Sequence, residues 1–112
     1  MDIEHIAAQL EALGHPTRLS IFRLLVRAGQ SGLAVGQLQD RLDIAASTLS
    51  HHLSKLVVIG LVAQERRGTT LLCSVNFDAM RELVSVLADE CCRDEDVRGQ
   101  ERTACGAEVT PA

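Results

Sequence analysis

The chain has 112 residues, one domain's worth, with 46% apolar and only 2% aromatic residues. Its core must therefore be built from Leu, Val, Ile and Ala, and a chain this small buries a limited share of its surface alone, so dimerisation is expected to extend that core. No apolar run approaches the roughly 20 residues that span a bilayer. The stretch Met1 to Leu10 carries Asp2 and Glu4 and no Lys or Arg, unlike a secretory signal, which predicts a cytoplasmic protein with no membrane partner.

The net charge of −4 argues against a nucleic-acid partner until its distribution is read. Residues 89–112 hold seven acids against Arg93, Arg98 and Arg102, and residues 1–88 are neutral. Local patches, rather than the total, decide association.

In chain order, Ile3, Ile6, Leu10 and Leu13 recur at helical spacing and predict a first helix ending near Gly14. Pro16 suits the first turn of a second helix, Pro16 to Ala28, with Leu19, Phe22, Leu25 and Val26 on its apolar face. Gly29 to Gly32 reads as a loop. Val35 to Leu42 is a short third helix, Asp43 to Ala46 a turn, and Ser47 opens a fourth helix that Gly60 stops. The period then changes. Leu61 to Arg66 and Thr70 to Val75 are β-prone runs around Arg67-Gly68-Thr69, a hairpin with a basic tip. Asn76 or Asp78 can cap a last helix carrying Phe77, Met80, Leu83, Val84 and Leu87 on one side. From about Cys92 the periodicity is lost.

The expected order is α-α-α-α-β-β-α, mainly α with a small hairpin, the winged helix-turn-helix arrangement. Residues 1–91 would form the DNA-binding and dimerisation domain. Residues 92–112 would form a flexible acidic tail.

On a helical wheel at about 100° per residue, Leu49, Leu53, Leu56 and Val57 of the fourth helix cluster on one side. Ser47, His51, Ser54, Lys55 and Val58 cluster on the other, flanked by Thr48 and Ser50. Small hydroxyl side chains let a backbone approach DNA closely and can bond phosphates or base edges. The candidate DNA-contacting residues are therefore Ser47, Thr48, Ser50, His51, Ser54 and Lys55. Arg66 and Arg67 at the hairpin tip join them, facing phosphates or a minor groove. His52 lies nearer the apolar side, which favours a structural role. Arg18 suits either a phosphate contact or a structural salt bridge.

Leu13-Gly-His-Pro-Thr-Arg-Leu19, Ser47-Thr-Leu-Ser-His-His-Leu-Ser-Lys-Leu56 and Gly60-Leu-Val62 resemble the signature segments of the ArsR/SmtB metalloregulators, over roughly residues 3–90. The resemblance implies a homodimeric winged-helix repressor that pairs through its first and last helices and leaves operator DNA when a metal or metalloid binds. Many arsenite sensors of that family carry Glu-Leu-Cys-Val-Cys-Asp-Leu ahead of the reading helix. The matching stretch here, Gly32 to Leu38, has Ala34 and Gly36 in place of those cysteines. The family's zinc site on the last helix uses acids and histidines. This chain has Met80, Cys91 and Asp94 near the matching places, and its four histidines lie at 5, 15, 51 and 52.

Four cysteines remain to be explained. Cys73 alternates with Leu71 and Val75 on a strand and reads as packed. Cys91, Cys92 and Cys105 crowd the C-terminal segment, and soft ions select thiolates over oxygen ligands. The set resembles arsenical-resistance repressors with a three-cysteine site near the dimerisation helix. Adjacent cysteines diverge by about 100° in a regular helix, so the site needs an irregular backbone at the helix end. Closing Cys105 back onto Cys92 costs a few kcal/mol at most.

The expected function is thus an arsenite- or antimonite-responsive repressor of a palindromic operator, with no organic cofactor. Alternatives on the same fold are a redox- or persulfide-sensing repressor, or a methylarsenite sensor needing two thiolates. An enzyme is not expected: the chain has no Cys-x-x-Cys and no phosphate-cradling glycine loop.

Overall fold

The computed structural model describes residues 2–95. Cys105 and the rest of the expected tail beyond Glu95 lie outside the described residues. The chain divides into two units between Met80 and Arg81.

In the first unit, helix α1 (Ile3–Leu13) opens on Asp2, whose carboxylate accepts the Glu4 N–H at 3.1 Å. Helix α2 (Pro16–Ala28) opens on His15, with Pro16 in its first turn. Its C-terminus runs into a 3-10 turn at Gly29–Ser31. Helix α3 (Val35–Leu42) begins where the Gln37 side chain reaches back to the Ala34 N–H at 2.9 Å. It ends on Asp43 in the left-handed region, at φ 54°. Helix α4 (Ala46–Val58) follows after this tight turn, one residue earlier than the Ser47 start expected from the sequence.

Strands β2 (Val62–Arg67) and β3 (Thr70–Val75) form the predicted hairpin, with Arg67 opposite Thr70. The sequence reading missed β1 (Leu33–Ala34), two residues that pair antiparallel with β3. The sheet is therefore three-stranded, in the order β1-β3-β2. A two-residue strand has no periodicity to read. It exists because the facing strand supplies the ladder partners.

Gly32 makes that pairing achievable. It sits at φ +70°, and a Cβ there would overlap the Cys73 carbonyl oxygen on β3. The backbones of β1 and β3 therefore approach through a position that admits no side chain.

Leucines and isoleucines fill the core, as the composition required. Ile21 and Leu25 of α2, Leu38 of α3, Leu49 and Leu56 of α4, and Leu61 are fully buried. Each such side chain contributes about 1.5–3 kcal/mol by leaving water. Cys73 is buried at the centre of the sheet, between Leu33 and Gln64 on its two neighbours. Burial pushes its thiol pKa up, and the Gln64 amide donating to its sulfur at 3.5 Å pulls slightly the other way.

A polar latch lies beneath α4. Arg18 donates from Nε to the Ala12 carbonyl at 2.7 Å and from a terminal nitrogen to His52 Nδ1 at 3.3 Å. Neither partner is a carboxylate, so the salt bridge weighed for Arg18 is replaced by a tether from the end of α1 to α4. A guanidinium only donates, so His52 must accept at Nδ1 and carry its proton on Nε2. His15 is likewise held as an acceptor, taking the Thr17 N–H at 3.1 Å. The His15 and His52 rings stand 4.6 Å apart. Gln9, buried in α1, adds a second tether to the end of α4 through the Ile59 carbonyl at 3.4 Å.

In the second unit, helix α5 (Phe77–Ala88), which begins before the division, continues from Arg81 to Ala88. Asn76 caps it by accepting the Ala79 N–H at 3.2 Å, one of the two caps expected. Beyond Ala88 the chain turns irregularly to Asp94.

Two predictions follow the packing. Gly32→Ala should lower stability by at least about 1–2 kcal/mol in thermal or urea unfolding. Gly36→Ala, with open space around it inside α3, should gain about 0.5–1 kcal/mol. His52 generates the second. Desolvation, then the charges of His15, Arg18, His51 and Lys55, hold its pKa below the ordinary 6.5. Between that lowered value and 6.5 the unfolded chain binds the extra proton and the folded chain does not. Stability from this group is therefore full above about pH 6.5 and falls as pH drops below it. Melting temperatures measured from pH 7.5 down to 5 should decline, and His52→Gln should flatten that acid limb.

Candidate nucleic-acid interface and cysteine turn

Helix α4 presents two faces of opposite character. Leu49, His52, Leu53 and Leu56 are buried. Ser47, Thr48, Ser50, His51, Ser54 and Lys55 are all exposed. The wheel reading of the sequence is reproduced, including the inward placement of His52. Val58 is 82% exposed on the outer side, a large apolar side chain left uncovered next to Lys55's turn.

The start of α4 has no side-chain cap, since Ala45 offers no acceptor. Its first N–H groups and the positive end of its dipole are thus available to an anion, the arrangement that binds phosphate at helix N-termini. A hollow of about 480 Å³ opens beside the same helix, with Arg18, His51, Ser54 and Lys55 on its wall and Glu11 as its acid.

The hairpin tip turns at Gly68, at φ 63°. Arg66 and Arg67 are both exposed there. Arg67 lies 3.3 Å from Glu65, an exposed pair worth little in water and easily exchanged for another anion. The eight residues singled out for DNA contact are therefore all accessible, in two groups carried on different elements.

The cysteines expected at the end of the last helix lie beyond it. Helix α5 stops at Ala88, and Cys91 and Cys92 sit exposed in the turn that follows. Glu90 and Cys92 both adopt φ 62°, left-handed values that non-glycine residues seldom take. The Cys91 N–H bonds the Ala88 carbonyl at 3.0 Å, and the Glu95 N–H bonds that of Cys92 at 3.1 Å. This irregular backbone brings two side chains that would diverge in a helix to a sulfur–sulfur distance of 3.5 Å. Thiolate bonds of about 2.3 Å would set two sulfurs sharing one soft ion roughly 3.3–3.8 Å apart. The pair therefore fits a shared thiophilic ligand. Among the described residues no set of three His, Cys, Asp or Glu could hold a metal, and Cys105 lies outside them.

Residues 13–65 match the model of a helix-turn-helix domain family. The chain is 32% identical over 89 residues to the HTH-type transcriptional regulator YgaV of Escherichia coli K12, covering 80% of this chain and 88% of that protein. It is 41% identical over 59 residues to a putative arsenical resistance operon repressor ArsR of Halobacterium salinarum, covering 53% of this chain and 45% of that one. Among solved structures it matches a homodimeric winged helix-turn-helix DNA-binding domain from Mycobacterium bovis, a possible ArsR-family transcriptional regulator. That match has 31% identity and a TM-score of 0.63, and covers 79% of this chain and 82% of the other. No helix among the described residues is long and apolar enough to cross a membrane. The helix-turn-helix of α3 and α4, the basic hairpin and these relatives agree: the chain belongs to the ArsR family of winged helix-turn-helix transcriptional regulators.

Proposed function

We propose that the chain is a cytoplasmic repressor that holds operator DNA as a homodimer and lets it go when trivalent arsenic binds its C-terminal thiols. The observation that carries this reading is the 3.5 Å approach of the Cys91 and Cys92 sulfurs in an exposed turn. The left-handed backbone brings the two sulfurs together in a turn where neither residue is buried. Cys105 completes the pyramid of three sulfurs that arsenite takes. The arsenical-resistance name of the Halobacterium relative supports the same ligand class.

DNA is read by the outer face of α4, with Ser47, Thr48, Ser50 and His51 toward base edges and phosphates, Ser54 and Lys55 further along, and Arg66 and Arg67 of the hairpin on the backbone. Dimerisation uses the first and last helices. Ile3 is 65% exposed on α1 and Leu87 62% exposed on α5, apolar surface that a second copy would take out of water. Two reading helices then address successive half-sites of a palindrome.

Arsenic as As(OH)3 exchanges its three hydroxyls for three cysteine sulfurs, releasing three waters. The bound segment after α5 becomes rigid, and that rigidity favours a dimer geometry whose reading helices no longer match the operator. A coupling of about 1–3 kcal/mol between the two sites, a 5- to 150-fold loss of affinity, is enough for induction. The vicinal pair also favours a second reading, in which methylated trivalent arsenic uses Cys91 and Cys92 alone.

The test is fluorescence anisotropy of the full chain on its own promoter duplex, titrated with arsenite in reducing buffer. Wild type should dissociate and a Cys91→Ser/Cys92→Ser variant should stay bound. Cys105→Ser should lose the arsenite response and keep the response to methylarsenite if two thiols suffice. If arsenite leaves wild type on the DNA, arsenic is the wrong signal and oxidants or persulfide take its place.

A further inference from the structure

A second cluster of positive charge shares no residue with the outer face of α4 or the hairpin tip. A groove of about 310 Å³ runs along α2 and α3, lined by Ser20, Arg23, Leu24, Arg27, Arg41 and Leu42. None of the six is acidic. Arg23, Arg27 and Arg41 are all exposed, and no hydrogen bond or ion pair engages them among the described residues.

Three convergent guanidiniums without an acid are unfavourable in the free chain. Arg23 and Arg27 stand one turn apart on the same side of α2, where like charges repel. Arg27 and Arg41 each lie in the last turn of a helix, and the helix dipole accounts for each separately. It does not account for Arg23, or for the three meeting in one concavity. An external anion would account for all of them.

We infer that this arginine groove is a phosphate clamp for the backbone of duplex DNA, a contact additional to the outer face of α4 and the hairpin. The chemistry fits that occupant. A guanidinium fork matches phosphate oxygens in a bidentate way, and the Ser20 hydroxyl is a further phosphate donor. Position fits as well. Arg41 is two residues before Asp43, the left-handed residue that turns the chain into α4. One wall of the clamp is thus on α3, the helix that leads directly into α4, and the other is on α2. The inference rests on DNA binding by this family and is independent of arsenic.

The clamp carries no sequence information, so its loss must weaken all duplexes alike. The experiment compares wild type with Arg23→Gln/Arg27→Gln/Arg41→Gln on two duplexes of equal length, the chain's own promoter and a scrambled sequence, from 50 to 300 mM salt. The slope of log affinity against log salt should fall by about 0.9 per phosphate contact removed, hence about 2.7 per bound subunit. Affinity for both duplexes should drop by the same factor. The Arg→Lys triple, which keeps the charge, should restore most of the slope. Thermal melting checks that the exposed substitutions leave the fold intact, and Arg23→Gln/Arg27→Gln serves if the triple does not fold. An unchanged slope in a folded variant overturns the clamp and leaves the groove to an acidic protein partner. Failure of wild type to bind either duplex would instead remove the DNA reading itself, and the clamp with it.

Discussion

Everything this protein does with DNA depends on how α4 is seated. One side of that helix is leucine in the core, and the other is a row of small polar side chains in water. The hydrophobic contacts give the seat its strength but little directional definition. Direction comes from the latch, in which Arg18 holds both the last carbonyl turn of α1 and the buried ring of His52. A helix of a DNA-binding unit gains from such a polar fix, because hydrogen bonds are angular and dispersion contacts are not. The same seat leaves His52 unable to take a proton cheaply, since burial disfavours the charged ring and four neighbouring groups can carry positive charge.

The charge of the chain is arranged by region. The net value is acidic because of residues 89–112, whereas seven of the eleven basic side chains stand on α2, α3, α4 and the hairpin. A total of −4 therefore coexists with a cationic stretch from α2 to α4, where five basic residues are set against Asp40 and Asp43. Long-range repulsion of DNA by the acidic segment is screened within about 8–10 Å at physiological salt, while a phosphate in direct contact with arginine is not.

The cysteine turn shows how backbone irregularity can bring adjacent side chains together. Two adjacent residues in regular structure send their side chains to different sides. Placing Cys92 in the left-handed region, in the turn that follows the helix, undoes that divergence. The conformation costs on the order of 1–2 kcal/mol.

Much of this was legible in the residues themselves. Apolar periodicity and the Gly and Pro punctuation determined five helices and a hairpin, with α2 and α3 bounded as the spacing required, because these signals are local. The wheel of α4 assigned its inner and outer faces correctly for the same reason. The strand β1 was invisible, since two residues pair there only because β3 lies opposite and Gly32 lets the backbones meet. Arg18 could not be assigned from spacing, its partners being six and thirty-four residues away. The three arginines of the groove look like ordinary solvated residues along the chain, and they become a cluster when α2 packs against α3. Local pattern thus determined the elements and their faces. Tertiary packing alone decided which distant polar groups meet, because the period of a helix or strand carries no information about the element it will touch.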